Sequence, residues 1–156
     1  MGVLLRIDHP EINIDCIYFE EMIEKIMSNL DCLNQEVSIL LTGDLDIRRL
    51  NHEFRNIDQP TDVLSFPQDA EEDPSFPGEK FLGDIAVSLD TAKAQANEHG
   101  LEFQEEIILL LIHGILHLLG YDHEISEQEE EKMRRKTREL FKLVFPEKML
   151  ADSCNY

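Results

Sequence analysis

The sequence predicts an α/β domain in which four strands and about five helices are built around one central apolar helix. Three observations point there. Short runs of branched apolar residues alternate with longer segments whose apolar positions recur every three or four residues, the pattern of strands alternating with amphipathic helices. The run from Ile107 to Leu119 is apolar except for His113, Gly114 and His117, so the helix it forms belongs in the middle of a core. The chain of 156 residues has no internal repeat and no linker, which predicts one domain over 1–156.

Val3 to Ile7 reads as a first strand. Asp15 can cap a helix from about Cys16 to Leu30, with Ile17, Phe19, Met22, Ile23 and Ile26 at helical spacing. Val37 to Thr42 is a continuous branched run, the mark of a buried strand. After Gly43, Asp44 to Phe54 is expected to be helical with Leu45, Leu50 and Phe54 inward. Val63 to Phe66 is a third strand stopped by Pro67, and the acidic, proline-containing stretch from Pro67 to Lys80 is expected to be a solvent-exposed loop. Leu82 to Val87 is the fourth strand. Ser88 can cap a helix that runs to about Glu98 and ends near Gly100, and the apolar helix spans about Phe103 to Leu119 and ends at Gly120. Ser126 with Glu129 has the spacing of a capping box for a last helix, with Met133, Leu140 and Phe141 inward, ending before Pro146.

Composition narrows the function. Apolar residues make up 42% and charged residues 30% of the chain, which excludes collagen-like, mucin-like and wholly disordered classes. The longest apolar stretch is shorter than the ~20 residues that cross a bilayer. Val3 to Leu5, followed by Arg6, is too short for a signal-peptide core, so a cytoplasmic location away from membranes is expected. Cys16, Cys32 and Cys154 are scattered and free of C-x-x-C spacing, which reads as reduced thiols. A net charge of -19 opposes non-specific attraction to polyanions, so any nucleic-acid partner must be gripped locally.

The informative segment is His113 to His123, which holds three of the six histidines. Positions four apart on a helix sit on one face, about 5 to 6 Å apart, so His113 and His117 can aim at one point beyond it. Gly120 permits the turn that ends the helix, after which His123 can supply a third nitrogen. Three imidazoles leave a tetrahedral zinc ion one open position, the arrangement of catalytic zinc, although nickel also suits imidazole ligands. The spacing H-x-x-x-H-x-x-G-x-x-H is shared with metzincin proteases, whose motif has Glu after the first histidine as general base. That position is Gly114 here, so a protease would need a base from elsewhere.

This segment resembles the signature of the YbeY family, bacterial endoribonucleases of ribosomal RNA maturation. The similarity extends to Leu50-Asn51-His52-Glu53-Phe54-Arg55, to Pro60 through Pro67, and to Leu82-Gly83-Asp84-Ile85, in matching order from about residue 35 to 142. The resemblance implies a mixed four-stranded sheet packed with helices and one zinc ion held by His113, His117 and His123. It also implies cleavage of single-stranded RNA, with Arg55 functional beside the metal and His113 and His117 in the catalytic centre. At the level of process it implies 16S rRNA 3′-end maturation and ribosome quality control. The implied partners are ribosomal RNA, the small ribosomal subunit, one of its proteins and an assembly GTPase.

Arg55 suits this chemistry because a guanidinium stays charged and presents a fork of donors matched to phosphate oxygens. Its alternative is a surface salt bridge closing the preceding helix. Asp62, Asp84 and Asp122 could orient a histidine or take a proton from water, whereas His52 and His99 read as solvated. Lys132, Arg134, Arg135, Lys136, Arg138 and Lys142 form a dense basic patch that RNA could follow. The same helix can instead neutralise itself through pairs such as Glu130 with Arg134 and Glu131 with Arg135. A non-enzymatic ribosome-assembly factor with a structural metal, and a metalloprotease, are the competing functions.

Overall fold

The computed structural model describes residues 2–68, 80–122 and 124–150. Along them run β1 (Val3–Asp8), α1 (Cys16–Asn29), β2 (Gln35–Thr42), α2 (Asp44–Arg55), β3 (Val63–Pro67), β4 (Lys80–Ser88), α3 (Leu89–His99), α4 (Phe103–Leu118) and α5 (Glu127–Val144). The strands form one mixed sheet in the order β1-β2-β4-β3. β1 and β4 flank β2 in parallel, and β3 pairs antiparallel with β4, from Val63 opposite Val87 to Pro67 opposite Gly83. The expected α/β architecture, with five helices about a mixed four-stranded sheet, is what forms. The exposed loop expected between Pro67 and Lys80 falls largely outside the described residues, as does Cys154. Cys16 and Cys32 are free thiols, and no helix among the described residues is long and apolar enough to cross a membrane.

Strand alternation divides the sheet into two faces. Val37, Ile39, Leu41, Ile85 and Val87 point to one of them, at most 1% exposed, and meet α4. α4 is buried nearly all round, from Glu105 to Ile112 and again at Gly114, Ile115, Leu116 and Leu118, because α1, α3 and α5 enclose the side away from the sheet. Each fully buried Ile or Leu contributes about 1.5–3 kcal/mol, so this helix dominates the core. Its start is secured by a capping box formed by Glu102 and Glu105, a pair that the sequence pattern did not single out. At α5, Ser126 Oγ accepts from Glu129 N as expected.

α2 covers part of the other face, where Ile47 packs with Leu64 and Ala86. Its inward residues differ from expectation: Ile47 and Asn51 are buried, while Leu45 is 80% and Phe54 61% exposed. At 100° per residue Leu45 lies roughly 160° round the helix from Ile47 and must face solvent. Phe54 shares the side of Ile47, but it sits on the last turn and meets the sheet only through an edge-on contact with Phe66, 5.3 Å between ring centres. Ile17 is exposed for the same angular reason, lying roughly 160° from Phe19 on α1. β3 ends at Pro67 as expected, with Pro67 itself the last paired residue, which an edge strand tolerates.

The starts of α2 and α3 are clamped together at the carboxyl ends of the parallel strands. Asp44 Oδ1 accepts from Ser88 Oγ and Thr91 Oγ1, and Asp44 N donates to Asp90 Oδ2 at 2.9 Å. Asp90 Oδ1 also receives His9 Nε2 at 2.9 Å. His9 Nδ1 accepts the amides of Glu11 and Ile12, each at 3.1 Å, so the ring proton must sit on Nε2 and point at Asp90. This clamp sets the entry points of α2, which carries Arg55, and of α3.

The Asp44 amide, with the His9 ring second, holds the Asp90 carboxyl below the usual carboxylate range. A carboxyl depressed in the folded state stabilises the fold above its unfolded pKa, and that contribution disappears as pH falls through the folded value. Asp90→Asn should therefore flatten the acid limb of the stability curve below about pH 4, measured as urea midpoint against pH, while leaving the curve near pH 7 parallel to wild type.

Candidate active-site cleft

Where α4 emerges from the core, its apolar pattern gives way to two histidines four residues apart. His113 and His117 are half-buried, with ring centres 4.5 Å apart, planes at 79° and Nε2 atoms 3.0 Å from each other. Two nitrogens at ~2.0–2.1 Å from a tetrahedral ion stand roughly 3.3 Å apart, so the separation suits a shared cation. Neutral imidazoles are also the donor type that zinc accepts. The helix closes at Gly120, which has φ +97° and donates to the His117 carbonyl, while Tyr121 N reaches back to Leu116 O. Asp122 Oδ1 then accepts from Glu124 N at 2.8 Å. His123, the expected third ligand, lies outside the described residues. Among the described residues no set of three His, Cys, Asp or Glu side chains is grouped to hold a metal.

The histidines open onto a cleft of about 950 Å³ bounded by the end of α2, the segment leading into β3, β3 itself and α5. Arg55 occupies the last residue of α2, where Asn56 adopts a left-handed conformation with φ 58° and turns the chain away. The Arg55 guanidinium donates to the Ser65 carbonyl at 2.8 Å and lies 5.8 Å from the Phe66 ring centre. It forms no ion pair among the described residues, so the surface salt bridge is not its role here. Ser65 Oγ in turn donates to the Gly114 carbonyl at 3.3 Å, tying β3 to the histidine helix. Asn51, 4% exposed, donates to the Gln59 carbonyl at 2.8 Å and anchors the segment that brings Asp62 to the cleft.

A side chain at position 114 would face the sheet: a Cβ there would stand 3.0 Å from Ile85 Cγ2. A glutamate there, as metzincins have directly after the first histidine, would crowd Ile85 and start toward the sheet, so a base would come from another element.

A model of the family described as Endoribonuclease YbeY matches residues 7–144 of the chain. The chain belongs to the YbeY endoribonuclease family. It is 51% identical over 142 residues to Endoribonuclease YbeY of Persephonella marina, covering 91% of this chain and 92% of that one. It is 46% identical to Endoribonuclease YbeY of Aquifex aeolicus, over 85% and 84% of the two chains. A solution structure of a Thermotoga maritima protein superposes with a TM-score of 0.63 at 31% identity, over 92% of this chain and 91% of that one.

Within this YbeY-family cleft the structure gathers His113, His117, Arg55, Asp62 and Asp122. Asp84 is not among them: strand alternation turns it to the opposite sheet face, beside Leu4, Arg6 and Phe66. Of the six cations on α5, only Arg134 lines the cleft. Lys132 lies over the Tyr121 ring, Arg135 and Lys136 pair with Glu131 and Glu139, and Arg138 donates to the Leu150 carbonyl, so the basic patch disperses around the helix. His52 is exposed as expected. His99 is not simply solvated, because its Nδ1 is 2.8 Å from Glu106 Oε2, and Glu106 is wholly buried. Sequence reasoning missed Asn51, Ser65 and Glu106 as supporting residues. A carboxylate inside the apolar Phe103–Leu118 segment was the available signal for the last.

Asn51→Ala removes the donor to Gln59 and should cost about 1–2 kcal/mol. The expected result is a lower urea midpoint, together with amide exchange that speeds up more over residues 57–62 than in the strands of the sheet.

Proposed function

We propose that the chain is a zinc-dependent, single-strand-specific endoribonuclease of ribosomal RNA processing, acting at the 3′ end of 16S rRNA and in ribosome quality control in the cytoplasm. Family membership supports RNA as the substrate. The observation that carries the catalytic reading is the convergence of His113 Nε2 and His117 Nε2, 3.0 Å apart, in the same cleft as Arg55. His113, His117 and His123 would hold the zinc ion. The chemistry zinc supplies in such a site is polarisation of the scissile phosphate and activation of a water molecule.

The remaining work falls to the chain. Arg55 spends one of its five N–H donors on Ser65, and the others are available to phosphoryl oxygens whose negative charge grows as the bond breaks. The Phe66 ring and the Ser65 carbonyl hold the guanidinium in place. Asp62 and Asp122, which line the cleft along with Glu124 and Glu130, would be the carboxylates that orient an imidazole or accept a proton. With a net charge of -19, the acidic surface suits basic proteins of the small ribosomal subunit, and an assembly GTPase is a further partner. RNA itself is gripped only in the cleft.

Arg55→Glu should lower kcat/KM on single-stranded RNA about 100-fold or more, with a melting temperature close to wild type because Arg55 is exposed. His117→Ala should lose both bound zinc by elemental analysis and RNA cleavage. Full cleavage by Arg55→Glu would remove Arg55 from the chemistry, a metal-free wild-type protein that still cuts RNA would remove zinc from it, and a zinc-loaded wild type that cuts no single-stranded RNA would leave the assembly-factor reading in its place. With Arg55 and Arg134 as the cations that line the cleft among the described residues, affinity for single-stranded RNA should fall with salt at a log–log slope of about 1.4, or 0.7 per phosphate. A slope several times larger would point to an extended basic track.

A further inference from the structure

The seam between α3 and α4 holds a polar cluster that the cleft chemistry does not use. Gln95 and His99 are one turn apart on α3 and belong to the side that packs toward α4. Gln95 Nε2 donates to Asp62 Oδ2 at 3.3 Å, and His99 Nδ1 is 2.8 Å from Glu106 Oε2. The amide orientation of Gln95 follows from chemistry: a carboxylate only accepts, so Nε2 must face Asp62 and Oε1 must face away. Two buried atoms are then left without a hydrogen-bond donor, Gln95 Oε1 and Glu106 Oε1. Both are acceptors when Glu106 is ionised, and leaving both unpaired would cost about 1–3 kcal/mol each.

One proton removes both defects. We propose that Glu106 carries a proton on Oε1 and donates it to Gln95 Oε1, completing a directional chain His99–Glu106–Gln95–Asp62 that fixes the Asp62 carboxylate in the wall of the cleft. Every link then has a donor and an acceptor. His99 Nδ1–H donates to Glu106 Oε2, Glu106 Oε1–H donates to Gln95 Oε1, and Gln95 Nε2–H donates to Asp62 Oδ2. Asp62 Oδ1 is held separately by Val63 N at 2.7 Å and Thr61 Oγ1 at 3.3 Å, and the Asp62 carbonyl accepts from Ser88 N at 2.9 Å. Glu106 is a positioning residue, acting on the cleft through Gln95.

The surroundings favour the neutral acid. Burial pushes the Glu106 carboxyl above the usual glutamate range, the His99 hydrogen bond and charge oppose this, and the negative charges of Asp62 and Glu98 push it further up. A carboxyl raised in the folded state stabilises the fold below its unfolded pKa and loses that contribution as pH rises through the folded value. Glu106→Gln mimics the proposed state, since its amide can donate to Gln95 Oε1 while its carbonyl accepts from His99.

The test has a spectroscopic arm and an activity arm, and only the latter rests on the proposed ribonuclease function. In protein labelled with 13C at glutamate carboxyls, the signal that disappears in Glu106→Gln should have the shift of a protonated acid at pH 7. The shift of a carboxylate, as expected if a buried water donated to both oxygens, overturns the proposal. Glu106→Gln should keep kcat on single-stranded RNA within twofold and lose less stability than wild type as pH rises, whereas Glu106→Ala should lower both kcat and melting temperature. Equal damage from Gln and Ala overturns it. Gln95→Met keeps the volume and removes both polar ends; it should lower kcat at least fivefold with KM unchanged, and an unchanged kcat refutes the positioning of Asp62. If wild type cuts no RNA, the functional reading fails while the carboxyl signal still decides the protonation of Glu106.

Discussion

The rest of the structure depends on the burial of α4 on every side. A helix enclosed by a sheet and three other helices must be apolar along its length, and polar groups are affordable only where it meets solvent or a dedicated partner. The charged or titratable residues of α4 obey that rule. Glu105 and Glu106 sit in the first turn, where unpaired amides and the helix dipole favour carboxylates, and Glu105 also pairs with Lys148 at 3.4 Å. His113 and His117 sit in the last two turns, where the helix leaves the core and opens onto the cleft. The surrounding core fixes the direction of both ends, so the histidines are presented by a helix held on every side.

The cleft owes its other residues to elements that end beside α4. α2 delivers Arg55 at its final residue, and the left-handed Asn56 lets the following segment fold back beneath it. β3 is the antiparallel edge strand, and its carbonyl at Ser65 and ring at Phe66 hold the guanidinium. Because Ser65 Oγ also reaches the Gly114 carbonyl, arginine and histidines share one strand as a common reference. Gly114 favours this approach: its missing side chain lets α4 settle against Ile85, and a metzincin-type glutamate at the same position would crowd that contact.

Charge is managed locally. The chain is strongly acidic, yet Arg55 and Arg134 line the cleft, and Lys132, Arg135, Lys136 and Arg138 are engaged by a tyrosine ring, glutamates or a backbone carbonyl. A cluster of basic residues in sequence became a ring of separate contacts in space, because successive residues on a helix are turned 100° from one another. The seam behind the cleft shows the opposite case. His99 and Glu106, which no spacing pattern connects to the site, are joined through Gln95 to Asp62.

What the sequence by itself determined is the set of elements and the identity of the central helix. Alternating branched runs specify strands, the Ile107–Leu119 run specifies a buried helix, and Asp15, Ser88, Gly100 and Gly120 punctuate the ends where they act. The spacing of His113 and His117 was equally legible, since four residues place two side chains on one helix face whatever surrounds it. Only the tertiary structure decided which of the remaining polar residues belong to the cleft. Asp62 enters it and Asp84 does not, although both lie in segments similar to the family's, because sheet alternation and strand order are long-range facts. The exposure of Phe54 on the same side as buried Ile47 and the hidden pairing of His99 with Glu106 have the same origin: periodicity defines faces, and packing decides what each face meets.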